Sequence, residues 1–392
     1  MGGTMNDART RTVCVVGGGI AATAAAIAFR RALPGAKVTQ FADGREPEYA
    51  GAADPYLHRF HGLVGLDAGE FARRTGAVNV SEAEFHLPGK APFRFVRFDE
   101  MAYFDGVALH QLWLRLTEGG RSSPSWGDVS RRARRPDDLA LGLGVRFDSA
   151  AYLSLLGNLA REIGVISERA ASAAELAPSF DLVVDAEGNP DAEWVTIAGV
   201  PGGLTWQTGP GGGEQGFETI KLGSESASWT TAAWHAEGRV IAGAPTAGRA
   251  VAPFDGNTLA VGRAALRAET LDGRPLSVAL AGITRAIELL PRPGASGREA
   301  AEYNRRTAMV HEFLLDWAVE RWGGAETTPP TLAALRMQFA RRGRIPFRDE
   351  DPVSVGQWLG WLLGSGQRPD TIDLSATALS DDQIAQVFSV FN

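Results

Sequence analysis

The sequence is poor in several things that would announce a function. It has a single cysteine, Cys14, in 392 residues, so no intrachain disulfide can form and a reducing compartment is the expected setting. Its six histidines are scattered except for His58 and His61. No Cys/His cluster has the spacing of a metal site, so no metal is expected, and the His58/His61 pair reads as a helix surface. Basic residues are outnumbered, 39 Lys and Arg against 46 Asp and Glu for a formal charge of −7, which argues against a nucleic-acid partner. No apolar run approaches the length of about 18 residues needed to span a bilayer, and Met1 to Arg11 lack the apolar core of a signal peptide. A cytoplasmic chain with no membrane partner is therefore expected. Internal repeats and low-complexity linkers are also missing.

What is present begins at once. Thr12 to Phe29, TVCVVGGGIAATAAAIAF, reads as a buried strand, a glycine turn and the first turns of a helix. Val13 to Val16 form the short β-branched run of a parallel strand covered on both faces. Gly17 permits the tight turn, Gly19 admits close approach to a pyrophosphate, and Ala22 keeps helix and strand together, giving GxGxxA. Gly17, Gly19, Ala21 and Ala22 are thus candidate dinucleotide contacts, with the helix N-terminus facing the phosphates. Lys37 to Phe41 reads as the second parallel strand. The acid usually found near its end arrives one residue late, as Asp43 after Ala42, and is the candidate ribose ligand.

Further along, a helix is expected around Leu66–Arg74 and strands at Phe85–Leu87 and Phe93–Phe98. The Ser-, Pro- and charge-rich stretch Arg121–Asp138, with Arg131, Arg132, Arg134 and Arg135, reads as a solvated loop. Val145–Asp148 and Ala151–Ile163 look like a strand and an amphipathic helix. Asp181–Ala186 is a second buried strand whose carboxyl end, at Asp185, should face a ligand crevice. Trp194–Gly248 carries Trp206, Trp229 and Trp234 and the run Gly209–Gly213, and reads as antiparallel strands over the site. Asn257–Gly262 is a third buried strand, followed by a helix at Leu276–Leu290. Helical periodicity then dominates Glu299–Trp322, Gln357–Leu363 and Asp381–Phe391.

In this order the segments resemble the flavin-dependent tryptophan halogenase family, a branch of the FAD-dependent aromatic monooxygenase fold. The resemblance rests on GGGIAATAAAIAFRRALPGAKVT, GVRFDSAAYLSLLGNLAREIGV, FDLVVDAEGN, NTLAVGRAALRAETLDGRPLSVALAGITRAIELLP and the closing helices YNRRTAMVHEFLLDWAVERW and QWLGWLLGSGQRPDTID. It implies an α/β fold: a Rossmann-like FAD-binding domain (10–45, 140–190 and 255–290), an inserted mixed β-sheet substrate lobe (46–139 and 191–254) and a helical C-terminal region (291–392). Gly262 and Arg263 then join the FAD contacts, with Asp185. The departures are chemical. His86 stands where the family carries a lysine, with Lys90 as an alternate. The family's glutamate and serine fall on Asp272 and Gly273, while Glu269 keeps an earlier acid. Trp234–Val240 replaces the family's WxWxIP stretch, and Arg263 replaces an aspartate of related hydroxylases.

The resemblance implies an FAD-dependent oxidoreductase, and these departures favour a monooxygenase that hydroxylates an indole or phenol-type substrate, free or carried on a peptide or carrier protein. A separate flavin reductase would supply electrons. His86, Lys90, Glu269 and Asp272 are the candidates for proton transfer or for holding the oxidant. A halogenase is one alternative, and a flavin-less pseudoenzyme or binding protein another. An NAD-dependent dehydrogenase explains the N-terminus but not the later aromatic and helical segments.

Overall fold

The apolar run at the N-terminus becomes the centre of a parallel sheet. In the computed structural model, Thr12–Val16 lies between Lys37–Phe41 and Leu182–Asp185, with Val13 opposite both Val38 and Leu182 and Val16 opposite Asp185. Ile166–Glu168 extends the sheet on one side and Thr258–Ala260 on the other, all parallel, and Phe254–Asp255 closes the edge antiparallel. The structure describes residues 10–44, 46–49, 51–87, 89–97, 101–118, 124–133, 144–201, 205–207, 216–222, 227–231, 237–239, 246–290, 297–323 and 326–389. Asp181 fixes the start of the central strand by accepting from the backbone N–H of Arg11 (2.8 Å) and Thr12 (2.9 Å). The helix Ile20–Ala32 is buried all round from Ile20 to Phe29. Its alanines allow the helices Ser149–Glu162 and Arg274–Glu288 to pack closely against it.

The chain forms two compact units. The first joins Met1–Ala77, Phe147–Gly203 and Ala244–Glu326. It contains the parallel sheet, the antiparallel trio Trp194–Pro201, Thr246–Ala250 and Leu266–Arg267, and the helix Arg298–Trp322. The second joins Val78–Arg146, Leu204–Gly243 and Thr327–Asn392. Its mixed sheet runs Ala227–Thr231, Gly216–Leu222, Val78–His86, Gly144–Arg146, with Phe93–Val96 also paired to Val78–His86. The helices Leu109–Glu118, Trp126–Ala133, Pro330–Arg342, Val355–Gly364 and Asp381–Ser389 belong to this unit.

Four local expectations change. The segment 46–77 goes with the parallel sheet because its helices Tyr56–Val64 and Ala68–Thr75 bury their apolar sides against helices of that unit. Within that segment His61 is buried at 1% exposure, Nε2 at 2.9 Å from the Tyr152 hydroxyl, and only His58 faces solvent. The stretch expected as a solvated loop contains the helix Trp126–Ala133, because Trp126 and Val129 recur at helical spacing and are buried. Arg131 and Arg132 lie on it, whereas Arg134 and Arg135 fall outside the described residues. Among the segments from Trp194 to Gly248, Gly216–Leu222 pairs parallel with Val78–His86, and the other pairings are antiparallel. Gly209–Gly213 and Trp234 lie outside the described residues. No described helix is long and apolar enough to cross a membrane, and no described cluster of His, Cys, Asp and Glu is arranged to hold a metal.

Candidate functional site

The glycine turn is held from below. Gly17 N–H donates to the Phe41 carbonyl (2.9 Å), and the Gly17 carbonyl accepts from Nε2 of the buried Gln40 (2.9 Å), which also reaches the Thr23 hydroxyl (3.1 Å). Gly17 has φ +119°, a conformation that L side chains rarely adopt. The helix that follows has Gly19 as its N-cap, with no side-chain cap from that residue and no acid in its first turn. The anion comes from elsewhere. Glu48 Oε2 accepts from Ile20 N–H at 2.6 Å and Oε1 from Ala21 N–H at 2.7 Å. A carboxylate is thus seated at a positive helix end, the place where a phosphate binds in such turns. The backbone therefore fits an anion, since it already holds one.

The neighbouring candidates divide. Arg263 donates to the Glu48 carbonyl (3.1 Å), and Gly262, at φ +59°, is so close to the helix that an added Cβ would lie 2.7 Å from Ala21 Cβ. Gly262, Arg263, Ala21 and Gly19 therefore surround one spot. Asp185 is buried and closes its own turn by accepting from Glu187 N–H (3.0 Å) and Gly188 N–H (2.9 Å). Asp43 is exposed and accepts from Ala170 N–H (3.2 Å). Ala22 is buried in the helix, with its Cβ 3.4 Å from the position of a Cβ built on Gly17.

Glu269 and Asp272 form a loop of buried acids. Glu269 Oε1 accepts from the N–H groups of Thr270 and Leu271, both at 2.8 Å, while Leu271 takes φ +60°. Burial raises the Glu269 carboxyl above its ordinary range, although those N–H groups and Arg263 pull it back. Asp272 is engaged on both oxygens. Oδ1 accepts from the Thr270 hydroxyl and from Arg274 N–H (3.2 Å), and Oδ2 from Trp317 Nε1 (3.0 Å) and Arg321 (3.0 Å), with Arg274 Nε at 3.3 Å. Such a carboxylate ties the loop to the helix Arg298–Trp322.

His86 and Lys90 lie in the second unit. His86 ends the strand Val78–His86, with Nε2 2.8 Å from Glu84 Oε1, both side chains about a third exposed (34% and 29%). Lys90 is exposed in the following turn. Alternation along the strand puts Glu84 and His86 on one face, and Glu84 lines a cleft of about 500 Å³ with Phe93, Arg94, Trp113, Trp126, Asp128 and Arg368. The Arg368 guanidinium lies 4.9 Å from the Trp113 ring centroid. The indole N–H of Trp126 is buried without a hydrogen-bond partner among the described residues. Phe85, the lining residue Phe93, and Phe95 pack on Trp361 at centroid distances of 4.9, 5.5 and 6.2 Å. Glu48 and the cleft had no local sequence signal. Glu48 sits in an irregular stretch 28 positions from its partner, and the cleft's walls are spread from Glu84 to Arg368.

The tryptophan halogenase family model matches residues 12–175. No curated protein matches by sequence. Among solved structures, a flavin-dependent halogenase from Brevundimonas sp. BAL3 superposes with a TM-score of 0.81 at 19% identity, over 98% of this chain and 95% of that one. A flavin-dependent halogenase from Xanthomonas campestris gives 0.83 at 17% identity, over 97% and 94%. A tryptophan 6-halogenase from Streptomyces toxytricini gives 0.78 at 16%, over 97% and 96%. At such identities the likeness is one of fold, and it spans the α/β architecture with its parallel sheet and helices. The family match covers the N-terminal part of the chain and the shared fold extends along nearly its whole length, so the chain is similar to the tryptophan halogenase family in sequence over residues 12–175 and to flavin-dependent halogenases in fold.

Proposed function

We propose that the chain is an FAD-dependent oxidoreductase of the halogenase type, acting on a small aromatic compound with electrons from a separate flavin reductase. The observation that carries this reading is the anion cradle at the head of Ile20–Ala32, in a chain that shares its fold with flavin-dependent halogenases. FAD, when bound, supplies the activation of O2 that generates the oxidant. The N–H groups of Ile20 and Ala21 would hold its diphosphate, with Arg263 adding positive charge beside them. In the second unit, Phe93, Trp113 and Trp126 line the cleft and offer ring faces to an aromatic substrate. Glu84 orients the His86 ring through Nε2, so that His86 can donate or accept a proton at its other nitrogen. Asp272, with both oxygens engaged, serves as an anchor for the loop.

Hydroxylation is the second reading. It is favoured by His86 and Asp272 standing where the family carries lysine and glutamate. Trp234, His235, Ala236 and Val240 of the stretch that replaces WxWxIP lie outside the described residues. Product masses separate the two. With reduced FAD, O2, bromide or chloride and a panel of indoles and phenols, the halogenase reading expects products heavier by a halogen that vanish without halide. Products heavier by one oxygen in both conditions would establish the hydroxylase. Absence of any product with a flavin-loaded chain would remove both.

A further inference from the structure

The seat at the head of Ile20–Ala32 is already filled by this chain's own side chain. Glu48 Oε2 and Oε1 lie 2.6 and 2.7 Å from the first two helical N–H groups. The space they occupy is the space that Gly19 leaves bare, since a Cβ built there would stand 2.2 Å from Oε2 and 2.8 Å from Oε1. In a GxGxxA turn that space admits a diphosphate. A carboxylate and a phosphate cannot both take the same pair of donors. The contact is also held at a cost: burial pushes the Glu48 carboxyl above its ordinary range, while the two N–H groups and Arg263 favour the ionised form. The acid is hinged on an irregular segment whose preceding residues, Glu46 and Pro47, are exposed. Its side chain therefore has somewhere to go. Arg263, which attracts it, would attract a phosphate in the same seat.

We propose that Glu48 is a built-in competitor for the dinucleotide, a latch that must swing off the N–H groups of Ile20 and Ala21 before a diphosphate can bind. Apparent affinity for any diphosphate is then the intrinsic affinity reduced by the fraction of molecules with the latch open. For a latch closed in about 90 to 99% of molecules, its removal tightens binding by about ten- to a hundredfold.

The choice of FAD as one probe rests on the proposed function, so ADP, which carries a diphosphate without the isoalloxazine, is used beside it. Wild type, Glu48→Ala and Glu48→Gln are titrated with FAD by flavin fluorescence and with ADP by calorimetry. Their thermal unfolding is followed without ligand. The expected result is tighter binding of both probes by the two variants, with a lower Tm in the empty state because the helix N–H groups lose both acceptor oxygens in Glu48→Ala and one of them in Glu48→Gln. Glu48→Gln, nearly isosteric, guards against a mere packing defect. Tighter ADP binding with no FAD binding by any form would uphold the latch and sink the flavin reading. Unchanged or weaker binding of both probes in folded variants would overturn the latch.

Discussion

Asp272 shows what one residue can carry. Its carboxylate is 1% exposed and receives donors from Thr270, Arg274, Trp317 and Arg321. Replacing it by Asn leaves Arg274 and Arg321 buried without their counter-charge, and loss of one partner from a buried ion pair costs about 3–5 kcal/mol. Urea denaturation of Asp272→Asn should show that loss as a lower midpoint with an unchanged slope. A wild-type midpoint would mean that the charge is compensated elsewhere. Cys14 gives a second test at the same scale. It is fully buried in the central strand, and burial, followed by the Asp185 charge, pushes its thiol up to about 12. A thiol so protonated and enclosed should be alkylated only on unfolding. Rapid labelling of the native chain by iodoacetamide would contradict its packing in the sheet.

The glycine turn is the element on which the proposed function rests, and its glycines are not equivalent. A Cβ on Gly18 would lie 1.8 Å from the Gly44 carbonyl oxygen, whereas one on Gly19 meets only the far end of the Glu48 side chain. Backbone cannot yield as a side chain can. Gly18→Ala should therefore lower stability by on the order of 1–3 kcal/mol, as overpacking does, and Gly19→Ala much less, as read by thermal unfolding without ligand. Equal losses in both would show that Glu48 is fixed in place. The existence of this element was legible in the residues, because a β-branched run, glycines and a small-residue helix leave few alternatives. The helix Trp126–Ala133 was not: a loop was expected there because charge and serine dominate the stretch, while two buried apolar side chains, Trp126 and Val129, set its face.

For the molecule as a whole, buried histidines govern the response to acid. His61, His110 and His311 are 1%, 3% and 4% exposed, and burial above all pulls them down to about 3, 4 and 3 respectively. The unfolded chain, with histidines near their ordinary 6.5, binds protons that the folded chain refuses. Their contribution to stability is therefore full above the ordinary value and is lost as pH falls from there towards the folded values. Glu48, Glu269 and Asp54, raised by burial, act with the opposite sign as pH rises above the ordinary carboxylate range. A single substitution isolates one term. His110→Gln should flatten the dependence of unfolding free energy on pH between about 6.5 and 4 relative to wild type. An unaltered slope would mean that His110 is protonated in the fold, although its Nε2 stands 2.8 Å from the Gly343 carbonyl.

The sequence by itself determined the parallel sheet, the glycine turn and the helices of the last third, because periodicity and turn chemistry act between neighbours. It also placed the resemblance to flavin-dependent halogenases, through many short segments in one order. Tertiary structure decided the fate of the charges. Glu48 finds Ile20 and Ala21 across 28 positions, Asp272 finds Trp317 and Arg321 across 45 and 49, and Glu84 and Arg368 meet at one cleft. A carboxylate's partner depends on distances in space and on the water excluded around it, and neither is written in the spacing of residues along the chain.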